Sequence, residues 1–242
     1  ASLPTKIEQK LYHNGIIFLS HSHWGQNHTY IIFQPDFHFI EKYGYYDIIT
    51  KINKLNLPLE KRKKMVYWRG STTGYDISCM KLPRIHTCLA ARNISWLDIK
   101  ISNTKIRCQS KTTDLASMGI LGEYREELYW VQHAGLLDMA GNTNAWGLIW
   151  RLASGSVVFL QQQNWCNAYM QQLKPWIHYI PIAMNSSDLV PITRIITENI
   201  SRLLPIVHSA KQLTLEFTYE KEVGRVVRQL CSVWEKYSIW NS

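Results

Sequence analysis

From residue 65 onward the chain alternates short apolar runs with amphipathic stretches, and that rhythm limits the folds open to it. Residues 65–68 (MVYW) read as a buried strand and 83–92 as a helix. Residues 94–101 alternate as a strand does, and 121–132 read as a helix with Leu121, Tyr124, Leu128 and Val131 on one face. Residues 136–159 (LLDMAGNTNAWGLIWRLASGSVVF) compress strand, glycine turn, helix, second glycine turn and strand into one stretch. The helix is expected over 145–153, where Trp146, Ile149, Trp150 and Ala153 recur at helical spacing. Residues 176–182 read as a strand and 188–207 as a helix. A last helix over 219–237 carries Val223, Val226, Val227, Leu230, Val233, Trp234 and Tyr237 as a stripe, which predicts a core-facing side. Such alternation predicts an α/β layer with a mainly parallel sheet.

Ligands of parallel sheets bind outside the carboxyl ends of the strands. Two turns stand there. Residues 69–74 (RGSTTG) follow the strand at 65–68, and residues 141–144 (GNTN) follow the strand at 136–139. Glycines free the backbone to approach a ligand, and unpaired N–H groups beside a helix start favour negative charge. Neither turn is a Walker loop or a dinucleotide fingerprint.

A net charge of +9 also draws anionic partners. The densest basic run, Lys61, Arg62, Lys63 and Lys64, reads as a solvated turn. With no nucleic-acid motif beside it, nucleic acid is not an expected partner. At 242 residues and 46% hydrophobic content the chain can bury a core as one large or two small domains. No apolar run reaches the roughly 18 residues of a membrane span. No signal-peptide pattern opens the sequence, which leaves cytoplasm and secretory-pathway lumen both open. Five cysteines without a CxxC pair predict reduced thiols. His21, His23 and His28 lack a neighbouring carboxylate or cysteine. They read as exposed loop histidines, and no metal site is expected.

Several segments resemble one family in its own order. Residues 67–74 (YWRGSTTG) are similar to the RGS-x-T loop of the CAP10-like and protein O-glucosyltransferase family, glycosyltransferase family 90. Residues 138–142 (DMAGN) and 152–159 (LASGSVVF) resemble its glycine turn and GS-x-V strand. Residues 173–182 (LKPWIHYIPI), 35–39 (PDFHF) and 97–101 (LDIKI) resemble three further segments. The resemblance covers about residues 2–210.

It implies a GT-B-like fold of two Rossmann-like lobes, here with a reduced N-terminal lobe. Residues 1–62 would form that acceptor-side lobe, 63–218 the nucleotide-sugar lobe, and 219–242 a helix crossing back to the first. It implies transfer of a sugar from a UDP-sugar to a hydroxyl of a glycan or glycoprotein, inverting the anomeric centre, with no obligatory metal. Xylose and glucose are the sugars it favours, with rhamnose open. By position, Arg69, Gly70, Ser71 and Thr73 would hold the diphosphate, with Asp98 nearby on the next strand. Gly141 and Asn142 would form the second phosphate turn, and Gly155 and Ser156 would close the pocket wall.

Two departures from the family pattern stand out. Ala145 and Gly147 occupy the places of the family's serine and arginine, so that either Arg151, one helical turn on, substitutes for the missing arginine or Arg69 carries the charge alone. The family's Asp-x-Pro, which carries its base, is Ser2-Leu3-Pro4 here. Asp36 is the first replacement, with turn capping as its alternative role, and His21, His23 and Asp138 follow. The competing expectation is an inactive UDP- or sugar-binding domain of a larger protein. Ten tryptophans and thirteen tyrosines suit sugar stacking, although most must be core.

Overall fold

A five-stranded, wholly parallel sheet organises the chain, in a computed structural model that describes residues 18–20, 23–24, 31–74, 76 and 78–238. Three short strands come first: β1 (Phe18–Ser20), β2 (His23–Trp24) and β3 (Ile31–Phe33). The sheet then uses β4 (Lys63–Ser71), β5 (Leu97–Asn103), β6 (His133–Asp138), β7 (Val157–Gln161) and, after the two-residue β8 (Trp165–Cys166), β9 (Ile180–Ile182). Its order is β5-β4-β6-β7-β9. The chain therefore leaves β4 toward one edge and returns to its other side at β6. Every residue of β6 and β7 is buried, as expected of central parallel strands covered on both faces. Outside this sheet β1 pairs with β3 in parallel and β2 with β8 antiparallel. His21 and His28 lie outside the described residues, and of His23 only the backbone is described.

Several expected elements change length, each for a local reason. The helix of 121–132 is only Glu127–Trp130. Gly122 instead donates its N–H to Ile101 O at 2.9 Å, and Leu121 bridges to Ile101 in parallel, so this segment extends the sheet edge. The strand of 176–182 is confined to Ile180–Ile182, because Trp176 has φ +64° and turns the chain. The helix of 188–207 breaks at Glu198 (ψ −125°), and Pro205 opens a new helix, Leu204–Thr214, whose first turn needs no proline N–H. The helix expected over 145–153 begins at Leu148.

Three further expectations are overturned. In the last helix, Tyr219–Ser238, Val227 (51% exposed), Leu230 (39%) and Trp234 (76%) face outward, so the stripe is not core. The helix is held at its start instead: Arg225 Nη2 donates to Phe33 O at 2.7 Å, and Tyr219 packs on Tyr43. The basic run is not wholly solvated, since Arg62 is buried. It donates to Leu57 O, Ser154 O and Ser156 Oγ, closing the sheet's amino-terminal edge. The thiols are not all reduced. Cys79 and Cys108 form a disulfide with Cα atoms 5.2 Å apart, because the loops after β4 and β5 run side by side. Spacing alone does not reveal such a pair.

Candidate functional site

The strand order places a crevice between β4 and β6, where successive connections diverge to opposite sides. A cleft of about 370 Å³ opens there. Gly70, Ser71 and Thr73 line it from the turn after β4, and Gly141, Asn142 and Asn144 from the turn after β6. The two turns touch. A β-carbon on Gly141 would stand 2.5 Å from Thr73 Oγ1, and Gly74 N–H donates to Asn142 Oδ1 at 3.1 Å. Gly70 is equally constrained, since a β-carbon there would meet the Trp68 ring at 2.4 Å.

Arg84 ties the turns together. It sits at the start of the helix Pro83–Ala91 and is buried. Its guanidinium donates to Ser71 O (3.1 Å) and Thr73 Oγ1 (2.7 Å) on one turn, and to Met139 O and Ala140 O (both 2.9 Å) beside the other. Burial pushes it down to about 10, with Asp138 opposing, so it remains a cation at neutral pH. Sequence reasoning passed over Arg84. Its signal was a charged residue in register with Cys88 and Ala91, on the helix's buried face.

Arg151 comes from the helix Leu148–Ala153 and lines the same cleft. Its Nη1 is 2.5 Å from Asp138 Oδ2, and its guanidinium lies 5.1 Å from the Trp130 ring and 5.0 Å from the Trp150 ring. Asp138 is fully buried, and desolvation raises its carboxyl above the ordinary range while Arg151 and Arg84 oppose that. Three buried side-chain atoms here find no partner among the described residues: Arg151 Nε, Asp138 Oδ1 and Asn144 Oδ1. Buried polar atoms normally have one, so this wall suits a polar ligand.

Arg69 lines the cleft, but its donors are occupied. Nη2 pairs with Asp98 at 2.8 Å, Nη1 donates to Trp68 O and Asp98 O, and Nε donates to Glu123 O. Asp98 thus reaches the site only through Arg69. Gly155 and Ser156 stand at the amino-terminal edge of the sheet, beside Arg62, away from this cleft. Asp36 caps the helix Phe37–Glu41, accepting from Phe39 N at 3.0 Å. The cleft's outer lip is Trp146, 52% exposed, whose carbonyl accepts from the Tyr45 hydroxyl and whose ring lies 4.0 Å from that of His38. Among the described residues no group of three His, Cys, Asp or Glu side chains is placed to hold a metal ion.

Three guanidiniums (Arg69, Arg84, Arg151) face two carboxylates (Asp98, Asp138) around the cleft, which leaves it positive. A cleft at the switch point of a parallel sheet is the place where ligands of open α/β folds bind. Solved structures share the fold. Anabaena HepE in complex with UDP-glucose matches with a TM-score of 0.53 at 13% identity, over 86% of this chain and 59% of that one. A glycosyltransferase from Rickettsia africae matches with a TM-score of 0.57 at 8% identity, over 97% and 68%. The chain is therefore an α/β protein of GT-B-like fold.

The family is defined separately. The model of Glycosyl transferase family 90 matches residues 9–214, and the chain belongs to that family. Rat protein O-glucosyltransferase 1 is 22% identical over 188 residues, 76% of this chain and 45% of the relative. Protein O-glucosyltransferase 2 of Danio rerio is 26% identical over 132 residues, 54% of this chain and 24% of the relative. The chain thus spans about half the length, or less, of the curated relatives it matches.

Proposed function

We propose that the chain is the donor-binding and catalytic part of a UDP-sugar-dependent glycosyltransferase. It would move xylose or glucose, with rhamnose next, to a hydroxyl of a glycan or glycoprotein acceptor, inverting the anomeric carbon. One observation carries the reading: the cleft at the switch point gathers Arg69, Gly70, Ser71, Thr73, Gly141 and Asn142, the residues aligned with the family's donor segments, together with Arg151, the substitute for the arginine missing at 147. Arg84 joins them as the clip that holds both phosphate turns. Family membership and the UDP-glucose bound by HepE support the same donor class.

In this reading Arg151 and the turn N–H groups receive the diphosphate as charge develops on it, and Trp146 provides a flat apolar face for base or sugar. Asp98 keeps Arg69 against the wall. We place the nucleotide-sugar lobe at 63–218, the reduced acceptor-side lobe at 1–62, and 219–242 as the returning helix. The Arg225–Phe33 bond supports that return. The Cys79–Cys108 disulfide supports an oxidising compartment, the secretory-pathway lumen rather than the cytoplasm. No helix among the described residues is long and apolar enough to cross a membrane.

A second reading, a UDP- or sugar-binding domain without turnover, draws on the committed donors of Arg69 and on Asp36 serving as a helix cap. Incubating the protein with a panel of UDP-sugars, with and without simple glycoside acceptors, separates the two. Release of free UDP from one donor identifies a transferase and its sugar. Tight UDP binding without release supports the second reading, and absence of UDP binding removes the transferase and leaves the second reading only as a sugar-binding domain.

A further inference from the structure

The proposed transfer requires a group that takes the proton of the acceptor hydroxyl, and the identity of that group has meaning only if the chain is a transferase. The carboxylates near the cleft are otherwise engaged. Asp138 is buried against Arg151, Asp98 is paired with Arg69, and Asp36 caps a helix. An imidazole stands at the lip instead. His38 lies on the helix Phe37–Glu41, and its ring packs 4.0 Å from that of Trp146, a residue lining the cleft. Trp146 is itself fixed, because its carbonyl accepts from the Tyr45 hydroxyl.

The second feature is the carboxylate behind the ring. Glu41 Oε2 is 3.4 Å from His38 Nδ1, three residues along the same helix. A carboxylate at Nδ1 favours the tautomer with the proton on that nitrogen. Nε2 is then left with a free lone pair, the requirement for a general base. The side chain is 30% exposed, so solvent and an acceptor can reach it. The helix is set in place by the Asp36 cap and by Phe39, which is fully buried.

We propose that His38 is the general base of the transfer, oriented by Glu41 and by the face of Trp146. The acceptor oxygen forms a bond to the anomeric carbon as the bond from that carbon to the diphosphate oxygen breaks. The breaking bond's electron pair leaves with UDP. The acceptor proton passes to His38 Nε2 and from there to solvent.

The test uses the full chain, the UDP-sugar identified by the donor panel and a glycoside acceptor, with azide as an alternative nucleophile that needs no deprotonation. His38→Gln is expected to leave the dissociation constant of UDP unchanged and to cut transfer to the hydroxyl acceptor by about 10²- to 10⁴-fold. Azide is expected to restore UDP release in that variant. Glu41→Gln, a positioning change, is expected to lower kcat about tenfold with donor KM unchanged, and azide is expected to mask its effect. Transfer within about threefold of wild type in His38→Gln overturns the assignment. So does lost transfer that azide fails to restore while UDP still binds. Absence of UDP release from the wild-type chain is a different result: it removes the transferase reading itself, and the base with it.

Discussion

Arg151 occupies the space in which a side chain on Gly147 would begin. A β-carbon at position 147 would stand 3.0 Å from Arg151 Nη1 and 2.5 Å from Trp150 Nε1. In place of the cation that the family resemblance puts at 147, a guanidinium from the next helical turn lies against the backbone of Gly147. Removing it has two separable effects. Arg151→Ala strips Asp138 of its buried partner and is expected to cost about 3–5 kcal/mol of stability. Adding Asp138→Asn should recover part of that loss, read by urea denaturation. UDP affinity, read by calorimetry, should stay low in both variants.

Arg84 donates to acceptors on both turns, a task that depends on a planar fork rather than on charge. Arg84→Lys keeps the cation and loses the geometry. It is expected to lower stability by about 2 kcal/mol and to weaken UDP binding about tenfold or more. Binding unchanged from wild type would show that the turns hold their shape without the clip.

Two substitutions at Asp36 separate a cap from a base. Asn caps helices about as well as Asp, whereas Ala costs about 0.5–2 kcal/mol. Asp36→Asn is therefore expected to keep both melting temperature and sugar transfer, and Asp36→Ala to lower the melting temperature. Transfer abolished by Asp36→Asn in a chain of unchanged melting temperature would return Asp36 to the catalytic role.

His133 is 1% exposed, stacked on Tyr67 with ring centroids 4.4 Å apart, and its imidazole is held below the ordinary range, chiefly by burial. The folded state keeps it neutral, while the unfolded chain protonates it at about pH 6.5. Its contribution is complete above that pH and is lost as pH falls through it toward the depressed folded value. Urea stability should decline between about pH 7 and pH 5, and His133→Gln should flatten the decline.

The Cys79–Cys108 bridge joins the loops that follow β4 and β5, and Ile106 beside it lines the cleft. On the chain-entropy account, a loop of this length makes the disulfide worth about 3–4 kcal/mol. Reduction, or Cys79→Ser with Cys108→Ser, should lower the melting temperature and weaken UDP binding. Equal melting curves with and without reductant would count against the bridge.

The parallel sheet and both glycine turns were legible because they depend on local signals: apolar runs, helical spacing and glycines at strand ends. What stayed hidden depends on contacts between distant segments. Arg84 acquires its role only when β4 and β6 lie side by side, and Cys79 finds Cys108 only through the adjacency of β4 and β5. Arg69 was legible as a candidate site residue, but the carbonyls that occupy its donors come from Trp68, from Asp98 on β5 and from Glu123. Gly155 and Ser156 matched a motif, yet a motif does not say which end of the sheet it occupies. The terminal helix shows the limit of periodicity, which identifies an apolar face without saying whether anything covers it.

The strand order also has a kinetic consequence. Since β4 lies between β5 and β6, a nascent chain that has paired β4 with β5 owns only half of the cleft. The other half arrives when β6 docks across a long intervening segment, a non-local step of the kind that slows folding. On the proposed reading, affinity for a diphosphate would therefore be acquired late. Its appearance during refolding would time the docking of β6 more directly than any signal from helix content.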